Sequence, residues 1–293
     1  MSTVVVLGDT GLLGQALMRE LARRSRPAVG LSRRSGCDLT RLPSPQALAR
    51  VLEPLAPALV VNAAAWTQLD RCEHDPQGAW ALHARLPGML AAWSQDTGVP
   101  WVQVSTDHYH SGPRNLRHDE DAPVMLLNEY ARSKYAGERL ALGSPKALVL
   151  RTNIVGRRGW PGEPSFAEWA LQAVRRGQAF AGYTDAWASS LEAGQCAAAL
   201  LDLAGLGVRG LLNVAAHDSI SKMRFIALLA QAMGLDASAM QPQPRPTAGL
   251  ARANALGLDV SRAERILGRM LPDSVQVARA LAAVFKEDHH VAA

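Results

Sequence analysis

Tyr130 and Lys134 stand four residues apart in Asn128-Glu129-Tyr130-Ala131-Arg132-Ser133-Lys134, a stretch with helical spacing, so their side chains share one helix face. An ammonium beside a phenol favours the phenolate and lowers the tyrosine pKa from about 10. A tyrosine tuned in this way exchanges a proton with a carbonyl or alcohol oxygen. Thr106 follows the short apolar run Trp101–Ser105, where its hydroxyl can hold the same oxygen. The second chemical feature is Gly8-Asp9-Thr10-Gly11-Leu12-Leu13-Gly14, which has the pattern GxxGxxG. Gly8 permits a sharp turn, Gly11 lets backbone approach a pyrophosphate, and Gly14 lets a helix lie close to a sheet. The helix that follows turns free N–H groups and a positive dipole end toward the phosphates. Thr10, Leu12 and Leu13 belong to the same candidate set. The third feature is Ser32-Arg33-Arg34, where dinucleotide sites for NAD carry an acid. An arginine there pairs bidentately with a 2′-phosphate, so NADPH is the expected cofactor, with NADH possible. Asp38 and Leu39 complete the cofactor candidates.

These features need a scaffold, and the first half of the chain supplies an alternation. Thr3–Leu7, Ala28–Ser32, Leu59–Asn62, Trp101–Ser105 and Ala147–Thr152 read as strands. Leu12–Arg24, Pro43–Leu55, Asp75–Gln95 and Asn128–Leu142 read as helices between them. Short apolar strands separated by helices of this length predict an α/β fold, a Rossmann-type doubly wound parallel sheet. The expected division is a cofactor-binding domain over 1–152, a smaller α/β, mostly helical substrate region over 153–285, and a frayed tail over 286–293. In the second region Gly156–Pro164 reads as a loop, and helices are predicted at Ser165–Arg176, Leu191–Leu203, Ser221–Met233 and Asp273–Phe285. Leu211–Val214 reads as a strand, and Gln241–Pro246 as extended chain.

Composition narrows the classes. The 293 residues are 48% hydrophobic and 19% charged, enough apolar material for a core. No apolar run is long enough to cross a membrane, and Met1 leads directly into Val4-Val5-Val6 without a secretory pattern, so a cytoplasmic protein is expected. The net charge of +5 comes from arginines spread along the chain, which argues against a nucleic-acid partner. Cys37, Cys72 and Cys196 are isolated and make neither a disulfide framework nor a zinc site. His108 and His110 alternate on extended chain but lack a third ligand, so no metal is expected. Asp75–Gln95 carries more apolar residues than one core-facing stripe needs, a surplus that marks a partner surface and points to a homodimer.

Taken in order, the motifs resemble the extended short-chain dehydrogenase/reductase family, and within it the dTDP-4-dehydrorhamnose reductases. Gly8–Gly14 resembles the family's dinucleotide loop, Asn62-Ala63-Ala64-Ala65-Trp66-Thr67 its NAAAxT segment, and Ser105-Thr106-Asp107 its STD. Asn128–Lys134 with Gly137-Glu138 resembles NxYxxSKxxGE. Arg151-Thr152, Leu258-Asp259-Val260-Ser261 and Leu267-Gly268 resemble later signatures. The resemblance implies that Tyr130 protonates the carbonyl oxygen, Lys134 holds the nicotinamide ribose, and Thr106 hydrogen-bonds the carbonyl. Ala63, Ala64 and Ala65 would lie against the cofactor. Thr67, Leu69, Thr106, Asp107, His108, Asn153 and Trp187 are the implied substrate contacts. The implied function is NADPH-dependent reduction of a 4-keto 6-deoxy nucleotide sugar. The alternatives are an epimerase or dehydratase of the superfamily, or an NADP-binding regulatory subunit like that of methionine adenosyltransferase. Three segments depart from the reductase pattern: His108-Tyr109-His110 where STDYVF continues, Ile154 in place of a tryptophan, and Asp185–Ser190 in place of a Gly-x-Pro-Thr stretch. They imply a sugar more polar or bulkier than the rhamnose precursor.

Overall fold

Six short apolar runs form one parallel sheet: β1 (Thr3–Leu7), β2 (Ala28–Leu31), β3 (Pro57–Asn62), β4 (Trp101–Val104), β5 (Ala147–Arg151) and β6 (Gly210–Asn213). The computed structural model describes residues 3–113, 115–159 and 163–291, the last four by backbone alone. The spatial order is β2-β1-β3-β4-β5-β6. The order reverses between β1 and β3, and at such a switch point a crevice opens beyond the carboxyl ends of the strands. Val5 pairs with Val29 and Val60, Val61 with Val102, and Val102 with Leu148. Covered by helices on both faces, the strands tolerate such continuous apolar runs. The sixth strand is drawn from beyond residue 152 and pairs Gly210 with Leu148.

The helices are α1 (Leu12–Arg23), α2 (Pro45–Leu52), α3 (Leu69–His74), α4 (Pro76–Trp80), α5 (Leu86–Thr97), α6 (Glu129–Leu142), α7 (Phe166–Arg176), α8 (Ala193–Gly205), α9 (Lys222–Met233), α10 (Ser261–Leu267) and α11 (Ser274–Val291). One face of the sheet packs Leu13, Leu17 and Leu21 of α1 with Leu200 and Leu203 of α8 and Leu281 of α11. The opposite face buries Leu48 of α2, Leu90 and Trp93 of α5 and Ala141 of α6. A pair of parallel strands, Phe180–Tyr183 and Met240–Gln243, stands outside the sheet, so the extended Gln241–Pro246 segment is partly strand.

Several elements differ from the sequence reading; the helix read from Leu191, for example, starts at Ala193 after a short strand at Leu191–Glu192. Asp75–Gln95 is not one helix: α4 and α5 are separated by a π-helical turn at Ala81–Arg85. Pro87 explains the break, because it has no N–H to donate to the carbonyl of His83 four residues back. The short helices α3 and α10 were not foreseen. The last helix continues past Phe285 to Val291, where a frayed tail was expected. Trp160 and the middle of the Gly156–Pro164 loop lie outside the described residues, as do the side chains of His289 and His290.

The apolar surplus of residues 76–95 is used internally. Ala79, Leu82, Leu86, Met89, Leu90 and Trp93 are all buried within the chain. On this segment and on α6, only Trp80 (42% exposed) and Leu140 (47%) present large apolar groups outward. The π-turn and the closeness of α6 are the reason: the stripe contacts α6 instead of solvent. No helix among the described residues is long and apolar enough to cross a membrane.

Candidate active site

The glycine loop does what its spacing requires. Gly8 has φ +81°, and a Cβ there would stand 2.7 Å from the Ala64 Cα and 2.8 Å from its nitrogen. The close backbone approach at this turn is thus between Gly8 and the Ala63–Ala65 segment after β3. A Cβ on Gly14 would meet the Gly8 carbonyl oxygen at 2.1 Å, so α1 packs on the loop only without a side chain at that position. Gly11 is the N-cap of α1 and offers no side-chain cap to the first turn. Helix N-terminal N–H groups without such a partner are ready acceptor-seekers for an anion. Asn62 secures the next segment. Its Nδ2 donates to Gln103 Oε1 at 2.8 Å, and its Oδ1 accepts from the Ala64 N–H at 3.3 Å. At the β2 end Arg33 is exposed, and its charge helps hold the Asp38 carboxyl below the usual range, after the hydrogen bond from Thr40. Leu39 is buried beside them. The residues fit a dinucleotide: an uncapped helix start, a glycine cradle with no room for Cβ atoms, and a cation at the strand end.

The Tyr130 motif is built on α6. Asn128 is its N-cap, accepting from the Ala131 N–H at 2.9 Å, and its Nδ2 donates to the Ala251 carbonyl at 2.9 Å. Burial pushes the Tyr130 phenol well above its ordinary range, and this outweighs the lowering by the nearby Thr106 hydroxyl. The expected depression by Lys134 is not found. The Lys134 Nζ donates to the Val104 carbonyl at 2.7 Å, and burial lowers its own pKa to about 8. Tyr130 is accordingly a phenol at neutral pH, the protonated form an acid needs.

The structure explains motif positions that spacing could not. His83, carried by the π-turn, was missed. Its Nε2 accepts from the Trp66 N–H at 2.9 Å, which leaves the proton of a neutral ring on Nδ1, 2.9 Å from Ser133 Oγ. Ser133 in turn donates to the Glu129 carbonyl at 2.7 Å. The His83 ring stands edge-on to Tyr130, 5.7 Å between centroids. Burial keeps it neutral, far below the usual histidine pKa. A Cβ on Gly137 would lie 1.7 Å from the His83 carbonyl oxygen, so Gly137 is what lets α6 reach the π-turn. Glu138 forms a buried pair with Arg151, 2.7 Å from Nη2 and 3.1 Å from Nε, and also accepts from Ser105 at 2.8 Å. The Gly-Glu and Arg-Thr signatures are thus parts of one bracket around β4 and β5.

A cavity of about 880 Å³ is lined by residues from both halves of the chain; Tyr130 is not in its lining but lies behind His108, which is. Thr67, Leu69, His108, Asn153 and Trp187 line it, as does Ile154. Thr106 and Asp107 lie beneath the lining. Asn153 Nδ2 donates to Asp107 Oδ2 at 2.6 Å, while burial raises the Asp107 carboxyl to about 7. His108 connects cavity and tyrosine: its ring meets Tyr130 edge-on at 5.5 Å, and burial lowers its pKa to about 4. His110 faces elsewhere, stacked on His118 at 4.4 Å. Lys222, Arg245 and Arg252 also line the cavity, and sequence reasoning missed all three. Lys222 is one of only four lysines and opens α9, a weak signal. Arg245 lies in the proline-punctuated Gln241–Pro246 stretch and donates to the Ala253 and Arg252 carbonyls, both at 2.9 Å. No group of three or more metal-ligating side chains occurs among the described residues.

Fold and site together define an NAD(P)-dependent oxidoreductase of the extended short-chain dehydrogenase/reductase class. The family model described as RmlD substrate binding domain matches residues 1–287. A Haloferax volcanii protein named probable low-salt glycan biosynthesis reductase Agl14 is 30% identical over 96% of this chain and 98% of its own length. A Mycolicibacterium smegmatis dTDP-4-dehydrorhamnose reductase is 30% identical over 83% of this chain and 74% of its own. Among solved structures, the Bacillus anthracis dTDP-4-dehydrorhamnose reductase in complex with NADP superposes with a TM-score of 0.84, at 22% identity, over 98% of this chain and 99% of that one. The chain belongs to the RmlD family.

Proposed function

We propose that the protein is an NADPH-dependent reductase of a 4-keto 6-deoxy sugar carried on a nucleoside diphosphate. The observation that carries this is the cavity that His108 separates from Tyr130, with Lys222, Arg245 and Arg252 in its lining. Three cations in a partly apolar pocket suit a diphosphate with a sugar beyond it. The Gly8–Gly14 loop and the α1 N-terminus hold the cofactor pyrophosphate, Ala63–Ala65 flank the nicotinamide half, and Arg33 pairs with the 2′-phosphate. When bound, the reduced nicotinamide supplies a hydride to the carbonyl carbon. Tyr130 delivers its phenolic proton to the carbonyl oxygen, and the Thr106 hydroxyl orients that oxygen. Lys134 holds the ribose by its ammonium, anchored at the Val104 carbonyl. His83, through Ser133, fixes the helix turn that carries Tyr130. His108 and Asn153 give the sugar pocket more polar character than a 6-deoxy methyl group uses, so a more hydroxylated or bulkier sugar than dTDP-4-dehydrorhamnose fits better.

The test is turnover. Purified protein with NADPH is given dTDP- and UDP-linked 4-keto sugars, and loss of reduced nicotinamide absorbance is followed. The reading requires at least one to be reduced with kcat/KM above about 10⁴ M⁻¹s⁻¹. Cofactor binding with no turnover on any of them would sink it in favour of a binding subunit.

A further inference from the structure

We propose that Asp9 is the acid that the end of β2 lacks, and that its carboxylate selects against a 2′-phosphate on the cofactor. The proposal rests on the reading of the Gly8–Gly14 crevice as a nicotinamide cofactor site. By sequence the β2 end holds only Ser32-Arg33-Arg34, with no acidic side chain. The fold brings one in from the loop. Gly8 donates to the Leu31 carbonyl at 2.8 Å, which ties the loop to the end of β2. The Asp9 side chain then lies across Gly30 of β2. A Cβ at residue 30 would stand 2.4 Å from Asp9 Oδ2, 2.5 Å from its Cγ and 2.6 Å from its Cβ. Gly30 therefore makes the seat for this carboxylate, and any larger residue would expel it.

Two further observations point to a ligand. Asp9 Oδ1 is buried with no hydrogen-bond partner, and so is Ser32 Oγ. Ser32 is extended (φ −158°, ψ 179°), so the alternation of a strand puts its side chain on the same side as residue 30. Buried polar atoms without partners are rare and costly. A carboxylate oxygen and a hydroxyl at one corner complement a ribose 2′-hydroxyl, which can donate to the first and accept from the second. A 2′-phosphate carries no proton to donate at neutral pH, and its charge repels the carboxylate across a poorly solvated gap. Arg33 attracts that phosphate from the exposed side. The two residues thus oppose each other in setting cofactor preference.

Titration of NADPH and NADH fluorescence against wild-type protein, Asp9→Asn and Asp9→Ala tests this, with melting temperatures measured alongside. Removing the charge should tighten NADPH about tenfold in both variants, while NADH affinity is unchanged or weaker. An NADPH-to-NADH ratio of dissociation constants equal to wild type in a folded variant overturns the proposal and leaves the proposed function standing. If neither nucleotide binds the wild-type protein, the cofactor reading falls and the proposal with it. Should Asp9→Asn not fold, Asp9→Ala, which leaves no polar group at the site, decides.

Discussion

The glycine loop and the cavity lined by His108 and Asn153 are built on different plans. The loop is made by one strand, one turn and one helix, so its glycines fall at a fixed spacing of three within Gly8–Gly14, and two of them answer a steric demand measurable in the fold: Gly8 against Ala64, Gly14 against the Gly8 carbonyl. The cavity is assembled from the segment after β3, the end of β4, the chain after β5, the start of α9 and the strap from Arg245 to Asn254. Its cations are more than twenty residues apart or sit in loops without pattern. A site made by local backbone geometry constrains neighbouring residues together. A site made by convergence of side chains constrains each position separately, so it leaves no spacing to read and diverges more easily.

That contrast can be broken at its hinge. Tyr130, proposed to meet both cofactor and sugar, loses only its phenolic hydroxyl in Tyr130→Phe. Reduction should fall by about 10²–10⁴ while NADPH binding and melting temperature stay near wild type. A Phe variant that retains half the activity would move the proton donor elsewhere. Lys222→Met acts on the cavity alone. We expect KM for the nucleotide sugar to rise by about one to two decades with kcat little changed and cofactor affinity intact. An unchanged KM would place the diphosphate away from Lys222. Arg33→Ala acts on the crevice alone, and calorimetry should give NADPH about tenfold weaker with NADH unaffected. Equal losses for both nucleotides would mean that Arg33 does not meet the 2′-phosphate.

The smallest expected effect concerns the His110–His118 stack, which lies outside the cavity lining. Burial lowers the His110 pKa from 6.5 to about 4, with further lowering from His118 and Arg151. The unfolded chain therefore binds a proton that the folded one refuses between those values. The associated stability is present above pH 6.5 and is lost as pH falls toward about 4. His108 adds a loss of the same sign, while Asp107, raised to about 7, contributes in the opposite direction; both are shared by a His110→Gln variant and cancel in the comparison. Melting temperature should fall less steeply between pH 6.5 and 4 in His110→Gln than in wild type. Parallel profiles would show that the buried ring does not govern the slope.

All six sheet strands, the last of them read at Leu211–Val214, and most helices were legible because buried parallel strands are uninterrupted apolar runs and their helices keep a 3.6-residue period. The π-turn was not, since Pro87 acts through a carbonyl four residues away and its consequence appears only when Gly137 brings α6 onto it. The Tyr130–Lys134 pair was legible as a pair but not in its electrostatics. Spacing put an ammonium near a phenol; the fold turned that ammonium to the Val104 carbonyl and let burial dominate the phenol. Trp187, Asn153 and His108 were found through family motifs, whereas Lys222, Arg245 and Arg252 had no motif to mark them.

The amino-acid order by itself determined the individual strands, the glycine turn, the helix bearing Tyr130 and the cation at the β2 end, because each depends on neighbours within about a dozen residues. Only the tertiary structure decided which buried groups keep or lose their protons, which cations share a cavity, and that Asp9 reaches Gly30. Those properties depend on distance and dielectric between segments far apart in the chain, and neither quantity is written in a local pattern.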